Sequence, residues 1–553
     1  MKMKKTIFIL ILVILMPVRL FGQTIDPTVE VSREFDVKLG EIHKPEIPKN
    51  VADSLRSFNI SFDYSIFNRP YSDLYEFSPY ESAAIKPARD VRHPFSYLKV
   101  GAQFPLKPSA ELYLQAVTKK GFYAGIYADH DSYWGEIPSV AGEYTLDVRK
   151  MRNDFGANLK YAWKEGEVSF DAGALLSNYS GSRDAIKIMH DIRMADFAMN
   201  VKSADGSDNS VYYDINAAYI TGFKSMTDTL KENNLALGAM VGTTFDVHRI
   251  YIDFDMSFSM YGGLRDHTAG ILEISPIYEY NKGRFLAKFG AKFGNRFSIH
   301  KSQESRNEDG DNHSSTASSI FPVIDARFEL AEQSLWIHTV VGGGHELNSF
   351  LGMARNMPLI SPRTDLRFGS RPVDATLSLE SVIKGRMAFN LMTSYTLFRD
   401  KLLFEPVMSD PEPFNVIATY RDFGRLSFGA DALWKSGSII TGAEFRYNLY
   451  FSGERPEITQ LPTITTNFFF VWNWRNRINA KVDCKYASAV SGDSFGTYTI
   501  PSIVDLGVTL DFSINRYFGV FLKGGNLLNR DNRYMPMHNS LPRNFGGGIY
   551  VKF

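Results

Sequence analysis

The sequence predicts an all-β chain, a transmembrane antiparallel β-barrel of about 22 strands within a range of roughly 20–24, preceded by a proline-rich segment. Three observations predict it. The chain opens with an export signal. Period-two alternation then recurs over most of its length, and charged residues repeatedly occupy the face opposite the apolar one.

Residues 1–22 read as a secretory signal peptide. In "MKMKKTIFILILVILMPVRLFGQ", Lys2, Lys4 and Lys5 precede an apolar run from Ile7 to Val18, and Gly22 supplies a small residue before Gln23. The alternative is an N-terminal anchor, for which the apolar run is short. No cysteine lies near the cleavage point, so a lipoprotein signal is excluded. The mature chain is therefore expected outside the cytoplasm.

Residues 23–94 have a different texture. Pro27, Pro45, Pro48, Pro70, Pro79, Pro87 and Pro94 interrupt them, and neither a period of two nor one of 3.6 is sustained. "HKPEIPKN" (43–50) reads as extended, polyproline-like chain, and "SFDYSIFNRPYSDLYEFSPY" (61–80) adds aromatic anchors. At roughly 70 residues the segment is small for an independent domain. It is expected to thread the lumen, line its mouth or reach a partner.

Residues 95–553 carry the barrel pattern. In 248–263, Ile250, Ile252, Phe254, Met256, Phe258 and Met260 fall on one face, and Arg249, Asp253, Asp255, Ser257 and Ser259 on the other. In 155–163, Phe155, Leu159 and Tyr161 oppose Asn158 and Lys160. In 502–515, Val504, Leu506, Val508, Leu510 and Phe512 oppose Asp505, Thr509 and Asp511. Turn chemistry such as "KEGE" (164–167), "NKGR" (281–284) and "KSGS" (435–438) separates the runs. A soluble propeller would have shorter strands and would bury these charges between sheets, whereas a hydrated lumen accommodates them. Four polar stretches, 299–319, 346–363, 403–413 and 452–462, read as external loops.

Composition narrows the function. Lys plus Arg and Asp plus Glu both number 61, so no net charge attracts nucleic acid. Aromatic residues make up 14% of the 553 residues, which suits strands. Cys484 is the single cysteine, which rules out an intramolecular disulfide and a Cys-based zinc site. "GDSFG" (492–496) matches G-x-S-x-G, but Ser494 sits between strands rather than on a strand-to-helix turn. "ADHDSYWGE" (128–136) reads as a polar loop with an interfacial Trp134. "NEDGDN" (307–312) lacks the spaced acidic ligand of a calcium loop. His345, beside three glycines, reads as a lone polar residue at a strand end. No catalytic residue, metal site or cofactor is predicted, and an enzyme is not expected.

The C-terminus carries a resemblance. "GGNLLNRDNRYMPMHNSLPRNFGGGIYVKF" (524–553) has the Asn526-Leu527-Leu528-Asn529 turn, then Asp531 and Tyr534, then Arg543 and Phe545 entering a last strand that ends on Phe553. This resembles the C-terminus of TonB-dependent outer-membrane receptors. At the other end "TVEVSREF" (28–35), with Thr28, Val29, Glu30 and Val31, looks like the short box through which such receptors touch TonB, a β-prone stretch suited to strand addition.

The resemblance implies solute binding or transport across the outer membrane of a Gram-negative bacterium, with no cofactor. It also implies contact with outer-membrane lipid and with the barrel-assembly machinery. That machinery would recognise the terminal strand of Phe545, Ile549, Tyr550, Val551 and Phe553. TonB or another periplasmic protein would be met through residues 23–93. In that family a globular plug fills the barrel, and residues 23–94 show no plug-like pattern, so a truncated or replaced plug is expected. The alternative is a non-transporting barrel that serves as scaffold or accessory subunit of an outer-membrane export or assembly complex.

Overall fold

The structure, a computed structural model, describes residues 96–553 except 119–120, 139–144, 184–185, 205–210, 301–312, 408–414, 453–460, 492–498 and 534–539. The signal, the proline-rich segment and Thr28–Val31 lie outside the described residues, as do "GDSFG" and "NEDGDN".

Alternation produces strands throughout. The first are β1 (Tyr97–Phe104), β2 (Lys107–Thr118), β3 (Phe122–Pro138), β4 (Thr145–Ala162), β5 (Gly166–Arg183) and β6 (Ile186–Ser203). There follow β7 (Val211–Ser225), β8 (Thr229–Phe245), β9 (His248–Gly263), β10 (His267–Lys282), β11 (Phe285–His300) and β12 (His313–Ala331). Next come β13 (Leu335–Leu347), a short helix α1 (Phe350–Asn356), β14 (Phe368–Ile383), β15 (Met387–Pro406) and β16 (Val416–Ser436). β17 (Ile439–Phe451), β18 (Ile464–Trp474) and β19 (Ile478–Ala487) lead to a small hairpin of β20 (Val490–Ser491) and β21 (Thr499–Ile500). The last three are β22 (Ile503–Ser513), β23 (Phe518–Gly525) and β24 (Asn544–Lys552).

All but the small hairpin join one 22-stranded antiparallel sheet, which closes where β1 meets β24 in the register Tyr97↔Lys552 to Phe104↔Phe545. Ser96 and Phe553 extend the seam by exchanging backbone hydrogen bonds of 3.0 and 2.8 Å. Closure leaves no free edge, as a membrane-spanning sheet requires. The predicted strand number is therefore the observed one.

The two ends of the barrel differ. Tight turns at 246–247, 283–284, 384–386 and 437–438 lie at the same end as Ser96 and Phe553. At 384–385 both central residues are left-handed, Lys384 at φ 50° and Gly385 at φ 62°, the twist a two-strand connection favours. The other end carries the long connections 348–367, 407–415, 488–502 and 526–543. Short turns face the periplasm and long ones the exterior in barrels of this class.

Strand lengths divide the wall. β18, β19, β22, β23, β24 and β1 have 11, 10, 11, 8, 9 and 8 residues, close to the ~9–11 that cross a bilayer. β4, β5 and β6 have 18 residues each, and β15 and β16 have 20 and 21. The tall strands project beyond the bilayer at the outer end.

Along a tall strand the two faces exchange character. On β4, Met151, Phe155, Leu159 and Tyr161 face outward, 39–49% exposed, opposite Arg152, Asp154, Asn158 and Lys160. Nearer the outer end the same outward row becomes Asp147 and Arg149, while the inward row becomes the buried Leu146 and Val148. β5 repeats this with Leu175 and Tyr179 inward, and β6 with Ile192 and Met194. The outer part of the tall wall thus behaves like a water-soluble sheet with an apolar inner face. A lumen hydrated along its whole length was the expectation, and this apolar zone corrects it.

Two local expectations are also corrected. "ADHDSYWGE" is not a loop but the middle of β3, where His130 meets Asn153 (2.7 Å) and Ser132 (3.0 Å). The stretch 346–363 is not an external loop, because it folds into the barrel.

Candidate functional site

The connection Asn348–Arg367 forms a strap across the lumen. Its sequence, "NSFLGMARNMPLISPRTDLR", holds Phe350, Leu351, Met353, Ala354, Met357, Leu359 and Ile360. Ser349 caps α1, its Oγ accepting from the Gly352 amide at 3.0 Å. The apolar side chains of this run are all 7% exposed or less. They pack on the inward faces of the tall wall, through Tyr133, Val148, Leu175, Tyr179, Ile192, Leu230 and Tyr261. The outer mouth therefore contains an ordinary hydrophobic core, assembled from strand tops and one loop.

Two fully buried wall charges bracket the helix. Glu232 on β8 accepts from the Leu351 amide at 2.6 Å and from Ser259 Oγ at 2.6 Å. Lys224 on β7 donates to the carbonyls of Pro358, at 2.5 Å, and Ile360. The carboxylate meets the amide end of the helix and the ammonium reaches the carbonyls just past its other end, the arrangement that suits helix polarity. Buried charges are tolerated only when hydrogen-bonded, so each depends on the strap being docked.

Further contacts fix the strap's course. Arg355 reaches Asp154 on β4 at 3.6 Å, and Arg363 reaches Asp228 in the β7–β8 turn at 2.5 Å. On the return the strap runs beside the outer end of β16, with Val416 N–H to Leu359 O at 3.0 Å and Ser361 N–H to Val416 O at 2.7 Å. Ala418 N–H donates to Thr364 Oγ1 at 2.5 Å, and Tyr420 O–H donates to Asp365 O at 3.1 Å. Asn348 closes the base by donating to Arg367 O at 2.8 Å. The strap thus ties the β4–β8 wall to the β13–β16 wall.

Away from this core the inward face is charged. Lys288 pairs with Asp325 at 3.0 Å, and His338 bridges Asp325 at 2.8 Å and Glu380 at 3.0 Å. Lys292 pairs with Glu273 at 3.0 Å, Arg371 with Glu346 at 2.9 Å, and Arg446 with Asp431. His345 lies among them on β13: its amide donates to Glu273 Oε1 at 2.8 Å and its ring stands edge-on to Phe321 at 5.1 Å. Among the described residues, no group of three or more His, Cys, Asp or Glu side chains is arranged to hold a metal ion.

The terminal strand lies at the seam, with Phe545, Ile549 and Phe553 exposed at 58%, 48% and 59%, Val551 half-buried, and Tyr550 buried against Ser513 at 2.7 Å. Cys484 is a free, half-buried thiol on β19. Sequence reasoning missed the strap and its clamps. Ser349 before an apolar run with helical spacing and Pro358 behind it was the available signal.

No family model and no curated protein matches the chain. Solved structures do match it. The FrpB iron transporter of Neisseria meningitidis (F3-3 variant) superposes with a TM-score of 0.62 at 10% identity, over 84% of this chain and 82% of that one. The ferric yersiniabactin uptake receptor FyuA of Yersinia pestis gives 0.64 at 12% identity, over 83% and 80%. The copper transporter OprC gives 0.64 at 10% identity, over 83% and 80%. At such identities the likeness is one of fold: the chain has the 22-stranded barrel fold of the TonB-dependent outer-membrane receptors.

Proposed function

We propose that this barrel passes a solute across the outer membrane and that the strap 348–367 is its outer gate. The carrying observation is the strap itself, an outer connection drawn into the lumen and held there by Glu232 and Lys224 through non-covalent bonds alone. Its release would leave the charged inner wall as the lining of a path. The proteins sharing the fold are described as transporters and uptake receptors, which supports a transport reading. In this reading Thr28–Val31 engages TonB by strand addition. Residues 23–94 stand where the family has a plug, and the terminal strand addresses the assembly machinery.

The test is conductance of the full-length barrel in planar bilayers. Wild type is expected to be nearly closed, and Glu232→Ala with Lys224→Ala to open in long events. A double variant that folds and stays closed would sink the gate. Deleting residues 24–40 should abolish energy-dependent uptake in cells.

One observation favours a second reading. The strap's apolar core is as dry as a domain interior, which suits a permanently shut barrel serving as a scaffold. Uptake that survives cross-linking the strap to β7 would exclude gating and leave that reading in place.

A further inference from the structure

The strap and the wall enclose a small cavity whose chemistry closure alone does not explain. It is lined by Lys150 and Arg152 of β4, Ser177 of β5 and Arg355 of α1, over the apolar Leu175 and Ile192. None of the described residues lining it is a carboxylate. Lys150 and Arg152, two residues apart, share the inward face of β4, and Ser177 stands directly opposite Arg152 on the next strand. Arg355 arrives from the strap. Docking therefore brings a third cation to two that the wall already holds.

The counter-charge beside them is thin. Asp154 receives both guanidinium groups on one oxygen, Arg152 Nη2 at 3.4 Å and Arg355 Nη2 at 3.6 Å. Asp131, opposite Arg152 on β3, lies 3.7 Å from Lys107. The row Glu111, Asp129 and Asp154, in direct register on β2, β3 and β4, continues away from the strap rather than into the cavity. A guanidinium carries five N–H donors, and a single nitrogen of each arginine meets Asp154. The cavity thus has donors on several sides, a hydroxyl on another and room for about one water-sized group.

We propose that this cavity is a binding site for a small inorganic anion of halide size, held by Lys150, Arg152 and Arg355, and that the bound anion latches the strap to the wall. A monatomic anion needs no orientation and fills the space of one water, whereas a polyatomic oxyanion would have to push α1 away. The anion would bridge a residue of the strap to two of the wall. Strap docking then becomes tighter as anion concentration rises, by mass action. The site stands on its own geometry and does not require that the barrel transport anything.

Bromide is the direct probe. Crystals of the full chain soaked in sodium bromide should show an anomalous peak between Lys150, Arg152 and Arg355. No peak there at near-molar bromide overturns the proposal. In bilayers, replacing chloride by gluconate at constant ionic strength should raise the frequency of openings about tenfold when chloride had stood near ten times its dissociation constant. Sulfate should not substitute for chloride at equal ionic strength. Lys150→Met and Arg152→Gln should each abolish the chloride dependence, and Arg355→Lys should keep part of it. A chloride response identical in wild type and Lys150→Met would mean general screening and overturn the latch. Failure of the anion tests leaves the gate reading untouched. A bromide peak in a barrel that never opens would keep the site and remove the gate.

Discussion

The tall and short walls of this barrel solve different problems with the same alternation. On the short side, β24 and β1 span the bilayer and little more, and their faces keep one polarity from end to end. On the tall side, β4, β5 and β6 leave the bilayer after about ten residues, and their faces exchange polarity there. Outside the membrane, water lies on the outer surface, so burial is available only within. The apolar side chains move to the inner face, and the hydrophobic effect that holds a soluble domain together draws in the strap. A wall that merely spans has no such face to offer.

The comparison can be broken in four ways, from the largest expected effect to the smallest. Leu359→Asp puts a carboxylate into the strap core and should cost more than about 3 kcal/mol. Trypsin should then cut at Arg355 or Arg363, while Asn479→Asp on the short wall should stay resistant. Phe155→Arg, on the lipid face of β4, should lower barrel stability by about 2–4 kcal/mol in denaturant titrations from vesicles. Arg149→Leu, three outward positions away along the same face, should be tolerated. Lys224→Met leaves two strap carbonyls without their donor and should cost about 1–3 kcal/mol, read as faster hydrogen exchange at 358–361. Asp147→Ala removes an exposed ion pair of 3.9 Å and should change stability by less than about 1 kcal/mol. A large loss there would place the bilayer boundary elsewhere.

The strands were legible because period two is written in each one, and the closing seam because "NFGGGIYVK" pairs by a pattern visible in the residues. The polarity exchange was not legible as such. "TLDVRKMRNDFGANLKYA" alternates without a break from Leu146 to Tyr161, and period alone does not say which row meets lipid. The strap was hidden for another reason. A long connection rich in Asn, Arg and Pro reads as solvent-exposed, and only its partners on β7 and β8, more than a hundred residues earlier, reveal where Phe350 and Leu359 go. Lys224 and Glu232 look like ordinary inward charges of a wet wall until the strap covers them.

The seam carries a consequence for how the molecule forms. Every other barrel pairing joins strands that follow one another along the sheet, whereas β1 and β24 meet from opposite ends of the described chain. Neighbouring hairpins are local contacts and close cheaply in entropy, while the final pairing must bring together residues more than 400 positions apart. It succeeds along a strip with few side chains, where Gly101 faces Gly548 and Ala102 faces Gly547. A Cβ at Gly101 would meet the Phe521 ring at 2.5 Å. Folding is thus a curl that grows hairpin by hairpin and remains a sheet with two open edges until one narrow strip locks. Bulk added at that strip should stall the curl one step from completion, with both edges exposed and every hairpin already made.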